Sequence, residues 1–179
     1  MRNFNSAVFG GGCFWCTEAV FQRLRGVHKV TPGYAGGTAD TATYEQVSTG
    51  MTNHVEVIQF EYDPEIISYN DLLTVFFATH DPTTLNKQGA DEGPQYRSVI
   101  FYSSEKEKHQ AEEFITQLIK DNVFSNPITT TIEPLTEFYE AEDYHKNYYE
   151  RNSGAGYCQV VISPKIKKLK EKFSSLLIE

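Results

Sequence analysis

Residues 10–16 read Gly-Gly-Gly-Cys-Phe-Trp-Cys, and this segment decides how the chain around it folds. The apolar residues 7–9 before it predict a β-strand and the residues after it predict a helix, so the segment is a strand-to-helix turn. Its glycines let the backbone bend and leave room for a substrate. The amides and dipole at a helix start favour a thiolate. The turn therefore predicts a reactive Cys13 beside an apolar wall of Phe14 and Trp15.

Composition predicts one ordinary globular domain. The 179 residues are 40% hydrophobic, 22% charged and 13% aromatic, and no repeat or linker divides them, so we expect a single domain over residues 1–179. The net charge of −8 disfavours nucleic acid or an anionic membrane as partner. No run of about 20 apolar residues predicts a membrane span, and no signal peptide is recognisable. We expect a cytoplasmic protein.

Patterning along the chain alternates strands and helices. Strands are predicted at residues 6–10, 27–34, 54–62, 96–102 and 129–133. Helices are predicted at residues 14–24, 44–47, 68–79, 104–122, 140–152 and from 164 onward. Residues 80–95 form a loop too long for a simple connector. Because paired strands occur among interleaved helices, we expect an α+β sandwich with helices covering a mixed sheet.

The cysteines indicate redox chemistry. Cys13, Cys16 and Cys158 are an odd number, which does not suit a disulfide framework, and the five histidines show no zinc-type spacing to them, so we expect no metal. Cys13 and Cys16 form a C-x-x-C pair, a spacing that permits a local disulfide at a helix start. Cys158 follows a segment of small residues and is either a thiol on a mobile arm that can reach an oxidised sulfur or a surface thiol without a role.

Polar candidates lie on one strand and in nearby loops. Period two places Glu56 on the face of its strand shared by Ile58 and Phe60. A carboxyl there is desolvated, keeps its proton near neutrality and can act as an acid, whereas an edge-strand position would leave it in solvent. Tyr44, Tyr96 and Asp91 lie in or beside loops rich in Gly, Pro and Thr, where they can bind a polar ligand or form ordinary surface.

The ordered motifs resemble the peptide methionine sulfoxide reductase A family over nearly the whole chain. The motifs that carry the resemblance are Gly-Gly-Cys-Phe-Trp at 11–15, Gly-Tyr-Ala-Gly-Gly at 33–37, Thr-Tyr-Glu-Gln-Val at 43–47, His-Val-Glu-Val at 54–57, His-Asp-Pro at 80–82, Gln-Gly-Ala-Asp-Glu-Gly-Pro-Gln-Tyr-Arg-Ser at 88–98, Phe-Tyr-Glu-Ala-Glu-Asp-Tyr-His at 138–145 and Gly-Tyr-Cys at 156–158. The resemblance implies a two-layer α/β sandwich with a ferredoxin-like core and a mobile C-terminal arm.

The resemblance also implies a role for each candidate residue. Cys13 matches the nucleophile and Glu56 the general acid. Three polar residues match groups around the sulfoxide oxygen, and two aromatic residues match the pocket for the substrate methyl group. Those residues are Tyr44, Tyr96 and Asp91 for the oxygen, and Phe14 and Trp15 for the methyl group. Cys158 matches the resolving cysteine; Cys16, where many members have another residue, is the less favoured alternative.

The implied reaction is the repair of oxidative damage to methionine. A Cys13 thiolate attacks the S-epimer of methionine sulfoxide, free or in an oxidised protein, and becomes a sulfenic acid. A second thiol then forms a disulfide, which thioredoxin, or dithiothreitol in vitro, reduces without any bound cofactor. We expect a monomer. Two rival interpretations are a general disulfide oxidoreductase that uses Cys13 and Cys16, and a non-catalytic module that binds oxidised methionine.

Overall fold

Six strands form one mixed sheet, and helices pack against one of its faces. The computed structural model describes residues 2–179. The sheet contains β1 (Asn5–Gly11), β2 (Val27–Ala35), β3 (Val55–Tyr62), β6 (Ser98–Tyr102), β7 (Thr131–Pro134) and β8 (Phe138–Glu140), while β4 (Lys87–Gln88) and β5 (Asp91–Glu92) form a separate ribbon. The strand order is β7-β6-β1-β3-β2-β8, and every neighbouring pair is antiparallel except β6 with β7. The expected α+β class is confirmed.

The two longest helices begin where the sequence places capping residues. They are α1 (Phe14–Phe21), α2 (Tyr44–Val47), α3 (Tyr69–Thr79), α4 (Glu105–Lys120), α5 (Tyr148–Arg151) and α6 (Ser163–Lys172). Ser68 and Asp71 form a reciprocal capping box at the start of α3. The Ser104 hydroxyl accepts the Glu107 amide at the start of α4. These two local signals explain why the starts of both long helices are predicted well.

The predicted helix over residues 140–152 is wrong in its first half. Residues Phe138–Glu140 pair with β2 as strand β8, then Asp143–His145 make one 3₁₀ turn, and only Tyr148–Arg151 is α-helical. Gly33 on β2 explains the strand: a Cβ there would lie 2.4 Å from the Phe138 ring. The bare glycine lets β8 approach closely, and this tertiary contact overrides the helical pattern.

Two apolar clusters lie on opposite faces of the sheet. The larger one lies beneath the helices and has Phe9 at its centre. The rings of Phe21, Phe60 and Phe76 contact the Phe9 ring at centroid distances of 4.9–5.9 Å. The smaller one holds valines such as Val57 from the alternate strand positions and packs against Leu135 and Phe138. Residues that alternate along β3 therefore face different clusters, and this alternation sets the position of Glu56 described below.

Within residues 2–179 we find no helix with the length and apolar character needed to cross a membrane.

Candidate active site

Cys13 is the N-cap residue of α1, one residue beyond the glycine turn. Gly12 has a φ of +95°, a left-handed conformation that side chains other than glycine rarely adopt. Gly11 lies so close to Phe76 and His80 that a Cβ would meet them at 2.9 and 3.1 Å. The glycines are thus required by the turn and its packing, and they bring the Cys13 side chain to a site where only 8% of the residue is exposed.

Glu56 is a buried carboxyl directly beside the start of α1. Its Oε1 accepts a hydrogen bond of 3.1 Å from the Phe14 amide, and the residue is 1% exposed. It faces the helical layer as Ile58 and Phe60 do, so the strand parity is confirmed. The pKa of this carboxyl is raised to about 8, mainly by burial; the Phe14 amide opposes this effect, and the charges of Asp91 and Cys16 add to it. At neutral pH the carboxyl therefore holds a proton.

Tyr44 and Tyr96 bring two half-buried phenol groups to the same place. Tyr44 is the first residue of α2, whose N-cap is Thr43, and Tyr96 ends the 3₁₀ turn Pro94–Tyr96. Burial raises the pKa of both phenols, and the nearby charges of Glu56 and Cys13 raise it further. Both hydroxyls therefore keep their protons and are available as hydrogen-bond donors near the carboxyl and the thiol.

Asp91 occupies the edge of the site on the short strand β5. It accepts a hydrogen bond of 2.7 Å from the hydroxyl of Tyr157, and that hydroxyl also lies 3.7 Å from the Cys16 sulfur. Asp91 is therefore connected to Cys16 through Tyr157, which belongs to the C-terminal segment, residues 141–179. The long loop over residues 80–95 supplies this aspartate, which agrees with the expectation that the loop is more than a connector.

Phe14 and Trp15 form an aromatic wall that is closed in this structure. The Trp15 indole stacks on the Tyr148 ring at 3.7 Å with an angle of 6°, and its Nε1 donates to His145 Nδ1 at 3.0 Å. Phe14 has no exposed surface and contacts the rings of Tyr34 and His145. Both predicted wall residues lie at the site, and Trp15 alone retains an exposed part.

The pKa values of Cys13 and Cys16 shift in opposite directions within the buried turn. Burial raises the pKa of Cys13 well above its usual value, and hydrogen bonding to Cys16 and the charge of Glu56 add to this effect. The prediction that the helix start keeps Cys13 ionised is therefore wrong for this buried thiol, because desolvation outweighs the helix amides. The hydrogen bond from Cys13 lowers the pKa of Cys16 to about 7, and Lys165 and Tyr157 contribute.

Cys158 lies close to the site but inside the protein. It begins a single π-helical turn, Cys158–Ile162, that runs directly into α6. The residue has no exposed surface, and burial raises the pKa of its thiol. All three cysteines are free thiols. Of the two alternatives for Cys158, the surface thiol without a role is wrong, because Ile162, Ile166 and Leu169 anchor the C-terminal helix to the main core and the cysteine is buried beside them.

Three residues that the sequence did not single out complete the site. Glu142 accepts hydrogen bonds of 2.9 Å from the Tyr34 hydroxyl and from the Tyr44 amide, and so it holds the start of α2. His145 receives the Trp15 indole, and Tyr157 bridges Asp91 and Cys16. A recognisable signal existed for Glu142 and His145, because acidic and aromatic residues crowd residues 138–149, and Tyr157 lies in the Gly-Tyr-Cys motif at 156–158.

A small cavity borders the two thiols, but Glu56, Tyr44 and Tyr96 do not line it. Its volume is about 90 Å³, and its walls include Cys13, Cys16, Asp91, Tyr157 and Lys165. Among residues 2–179, no cluster of three His, Cys, Asp or Glu side chains is arranged to hold a metal ion. A buried thiol pair beside a protonated carboxyl and two phenols can donate protons and form sulfur–sulfur bonds.

These properties define a thiol-dependent oxidoreductase. A family model described as peptide methionine sulfoxide reductase matches residues 5–177, and the chain belongs to this family. It is 55% identical to the peptide methionine sulfoxide reductase MsrA of Deinococcus radiodurans over 96% of this chain and 83% of that one. It is 56% identical to the MsrA of a Nitratiruptor species, covering 96% and 98% of the two chains.

Solved structures agree with this assignment. Reduced Mxr1 from Saccharomyces cerevisiae superposes with a TM-score of 0.79 at 33% identity, covering 87% of this chain and 89% of that one. Methionine sulfoxide reductase A of Corynebacterium diphtheriae gives a TM-score of 0.75 at 32% identity, covering 89% and 80%. The structure of Mxr1 in complex with Trx2 gives 0.55 at 25% identity, covering 81% and 84%.

Proposed function

We propose that the chain reduces the S-epimer of methionine sulfoxide to methionine, in oxidised proteins and as the free amino acid, with Cys13 as nucleophile and Glu56 as general acid. The observation that carries the proposal is the buried Glu56 carboxyl, held at the first amide of α1 beside Cys13 and protonated at neutral pH. A sulfoxide sulfur is a poor electrophile until its oxygen is protonated or strongly hydrogen-bonded, and a neutral carboxyl supplies that proton.

The first step transfers oxygen from the substrate to Cys13. The Cys13 sulfur attacks the sulfoxide while Glu56 protonates the oxygen, and the sulfur–oxygen bond of methionine sulfoxide breaks. The methionine sulfur gains two electrons, the Cys13 sulfur loses two, and the products are methionine and a cysteine sulfenic acid. The thiol proton of Cys13 passes to the thiolate form of Cys16, which a pKa of about 7 makes available at neutral pH, and Glu56 is later reprotonated from solvent.

The neighbouring side chains orient the substrate. The phenols of Tyr44 and Tyr96 keep their protons and support donation of hydrogen bonds to the sulfoxide oxygen, where charge develops. Asp91 is a polar helper that acts through the hydroxyl of Tyr157. Phe14 and Trp15 form the wall against which we place the substrate methyl group, and a one-sided wall of this kind would distinguish the two sulfoxide epimers.

Thioredoxin is the proposed physiological reductant, with dithiothreitol as its substitute in vitro. A solved structure of a yeast relative in complex with Trx2 supports this partner. We infer that the segment that carries Tyr148 moves when substrate reaches Trp15, because the Tyr148 ring covers the indole. The reaction needs no metal, flavin or nucleotide, since the cysteine sulfurs carry the electrons.

We also propose that residues 1–179 are one catalytic domain with a ferredoxin-like core. The support is the antiparallel order β6-β1-β3-β2, in which α1 and α3 connect pairs of strands that are not neighbours. All groups of the site come from one chain, which supports a monomer. A thiol enzyme that depends on a dithiol reductant fits a reducing compartment such as the cytoplasm, where it would repair oxidised methionine.

The decisive experiment measures turnover of the separate S- and R-epimers of N-acetylmethionine sulfoxide with dithiothreitol, for the wild type and for Cys13→Ser. We expect turnover of the S-epimer only, lost in the variant. Activity that survives in Cys13→Ser would place the nucleophile elsewhere. No turnover by the wild type, combined with reduction of arbitrary disulfides, would favour a disulfide oxidoreductase. Binding without turnover of either substrate would favour a module that recognises oxidised methionine.

A further inference from the structure

We propose that Cys16 is the thiol that first resolves oxidised Cys13, so that the first disulfide of the catalytic cycle joins Cys13 to Cys16 rather than to Cys158. This inference rests on the proposed function, which supplies the sulfenic acid on Cys13. The family resemblance favours Cys158 for this step. The arrangement of the three thiols favours Cys16 as the first resolving residue.

The two sulfurs are already neighbours before any oxidation. Cys13 caps α1 and Cys16 is its third residue, and the Cys16 amide closes the first turn onto the Cys13 carbonyl at 3.0 Å. The side chains of Cys13 and Cys16 both line the 90 Å³ cavity. A C-x-x-C pair at a helix start can close into a disulfide. No backbone segment has to leave its place for Cys16 to reach Cys13.

Cys16 also has the surroundings of a nucleophile. Lys165 from α6 lines the cavity beside it, and its positive charge favours the thiolate, as does the Tyr157 hydroxyl at 3.7 Å. In the reduced protein, hydrogen bonding from the Cys13 thiol is the largest cause that lowers the pKa of Cys16, to about 7, and Lys165 and Tyr157 add to it. Lys165 and Tyr157 remain to favour the Cys16 thiolate after Cys13 has been oxidised. Thiols whose pKa lies near the ambient pH attack sulfur most effectively, because they combine ionisation with nucleophilicity.

Cys158 lacks both advantages in the closed structure. It is fully buried at the start of the π-helical turn, it does not line the cavity, and burial raises the pKa of its thiol. To reach Cys13 it would have to leave a helical turn that is continuous with α6. A rearrangement of that size is slower than attack by Cys16, which lies in the same helical turn as Cys13 and lines the same cavity.

The step balances without a further reagent. The Cys16 sulfur attacks the Cys13 sulfur, a sulfur–sulfur bond forms, and the sulfur–oxygen bond of the sulfenic acid breaks. The hydroxyl group leaves with the proton of the Cys16 thiol as one water molecule. The disulfide then receives two electrons from an external dithiol of the thioredoxin class, directly or after exchange with Cys158.

Peptide mapping distinguishes the two orders. The full-length enzyme is mixed with one equivalent of N-acetylmethionine S-sulfoxide and no reductant, quenched with an alkylating agent at successive times, and digested with trypsin without reduction. Cys13 and Cys16 fall in the same tryptic peptide, residues 3–23, and Cys158 falls in residues 152–165. We expect peptide 3–23 with an internal disulfide, two hydrogens lighter, before any species that joins the two peptides.

Matched cysteine variants complete the test. Released methionine is counted first: one equivalent from Cys16→Ser and from Cys158→Ser, with none from Cys13→Ser, establishes the proposed function independently of the resolving step. Dimedone then labels the sulfenic acid. We expect it to persist at least ten times longer in Cys16→Ser than in Cys158→Ser. Joined peptides that form in Cys16→Ser as fast as the wild type forms its first disulfide would overturn the inference.

Discussion

The Phe14 amide donates a hydrogen bond of 3.1 Å to Oε1 of Glu56, across 42 positions of sequence. This contact joins the first residue of α1 to the central strand β3. It therefore fixes the position of the acid, Glu56, relative to the helix start where the nucleophile, Cys13, lies. The amide favours the charged carboxylate, yet burial dominates and raises the pKa of Glu56 to about 8. The contact therefore positions the carboxyl without ionising it at neutral pH.

Replacing this acid should abolish most of the activity while the fold stays intact. Glu56→Gln keeps an oxygen that accepts the Phe14 amide but has no acidic proton to give. We expect kcat for N-acetylmethionine S-sulfoxide to fall by roughly 10²–10⁴, the range typical of a lost general acid. Steady-state assays with dithiothreitol measure the change, and far-UV circular dichroism checks folding. A folded variant within threefold of wild-type activity would remove Glu56 from the mechanism.

The rate of methionine release should fall as pH rises through about 8. Only the protonated Glu56 carboxyl can donate, and its pKa in the folded protein is about 8. First-turnover release, measured by rapid quench from pH 6 to 10, isolates this step from disulfide reduction. Glu56→Gln has no such group, so its low residual rate should lack the decline near pH 8. A wild-type rate that stays constant to pH 10 would contradict the assignment of the acid.

The raised pKa of Glu56 should also make the free energy of unfolding depend on pH. A carboxyl with a usual pKa of 4.5 that reaches about 8 on folding binds a proton more tightly in the folded state. The folded state therefore loses free energy of unfolding as pH rises from about 5 to 8, at about 1.4 kcal/mol per pH unit for this group. Urea unfolding of wild type and Glu56→Gln over that range tests it: the difference between them should move steadily in favour of the variant.

Local signals explain most of the fold that could be predicted. Ser68 with Asp71 and Ser104 with Glu107 determine two helix starts through contacts three residues apart, which a sequence displays directly. Strand alternation likewise placed Glu56 on the face beneath the helices. Strand β8 could not be predicted in this way, because it depends on Gly33, a residue more than a hundred positions earlier.

In the candidate site, too, features that depend on contiguous sequence could be predicted and features that depend on tertiary packing could not. Cys13 and the aromatic wall follow from the glycine turn, which is contiguous in sequence. The ionisation of the thiols could not be predicted, because burial of Cys13 and the approach of Lys165 and Tyr157 to Cys16 depend on how the C-terminal segment packs. Likewise, Cys158 follows small residues that suggest a free arm, but its side chain is covered because α6 is anchored in the core.

The contact between β2 and β8 should be intolerant of a single methyl group. A Cβ at Gly33 would lie 2.4 Å from both the Phe138 ring and the Tyr139 carbonyl oxygen, and the backbone oxygen cannot turn aside. We expect Gly33→Ala to lower the free energy of unfolding by about 1–3 kcal/mol, as overpacking does. Gly154→Ala is the control, since nothing lies within 4 Å of its added carbon. Equal urea midpoints for the two variants would mean that the strands separate easily.

Trp15 should report the opening of the C-terminal segment, because it is the single tryptophan of the chain. Its indole stacks on Tyr148 at 3.7 Å, so Tyr148→Ala should expose it to water and shift its fluorescence emission to longer wavelength. Tyr149→Ala is the matched control: Tyr149 belongs to the same short helix but bonds Ser163 instead. If substrate entry displaces the segment, saturating N-acetylmethionine S-sulfoxide should shift wild-type emission and leave Tyr148→Ala nearly unchanged. Equal responses from both proteins would mean that Tyr148 stays on Trp15 while substrate binds.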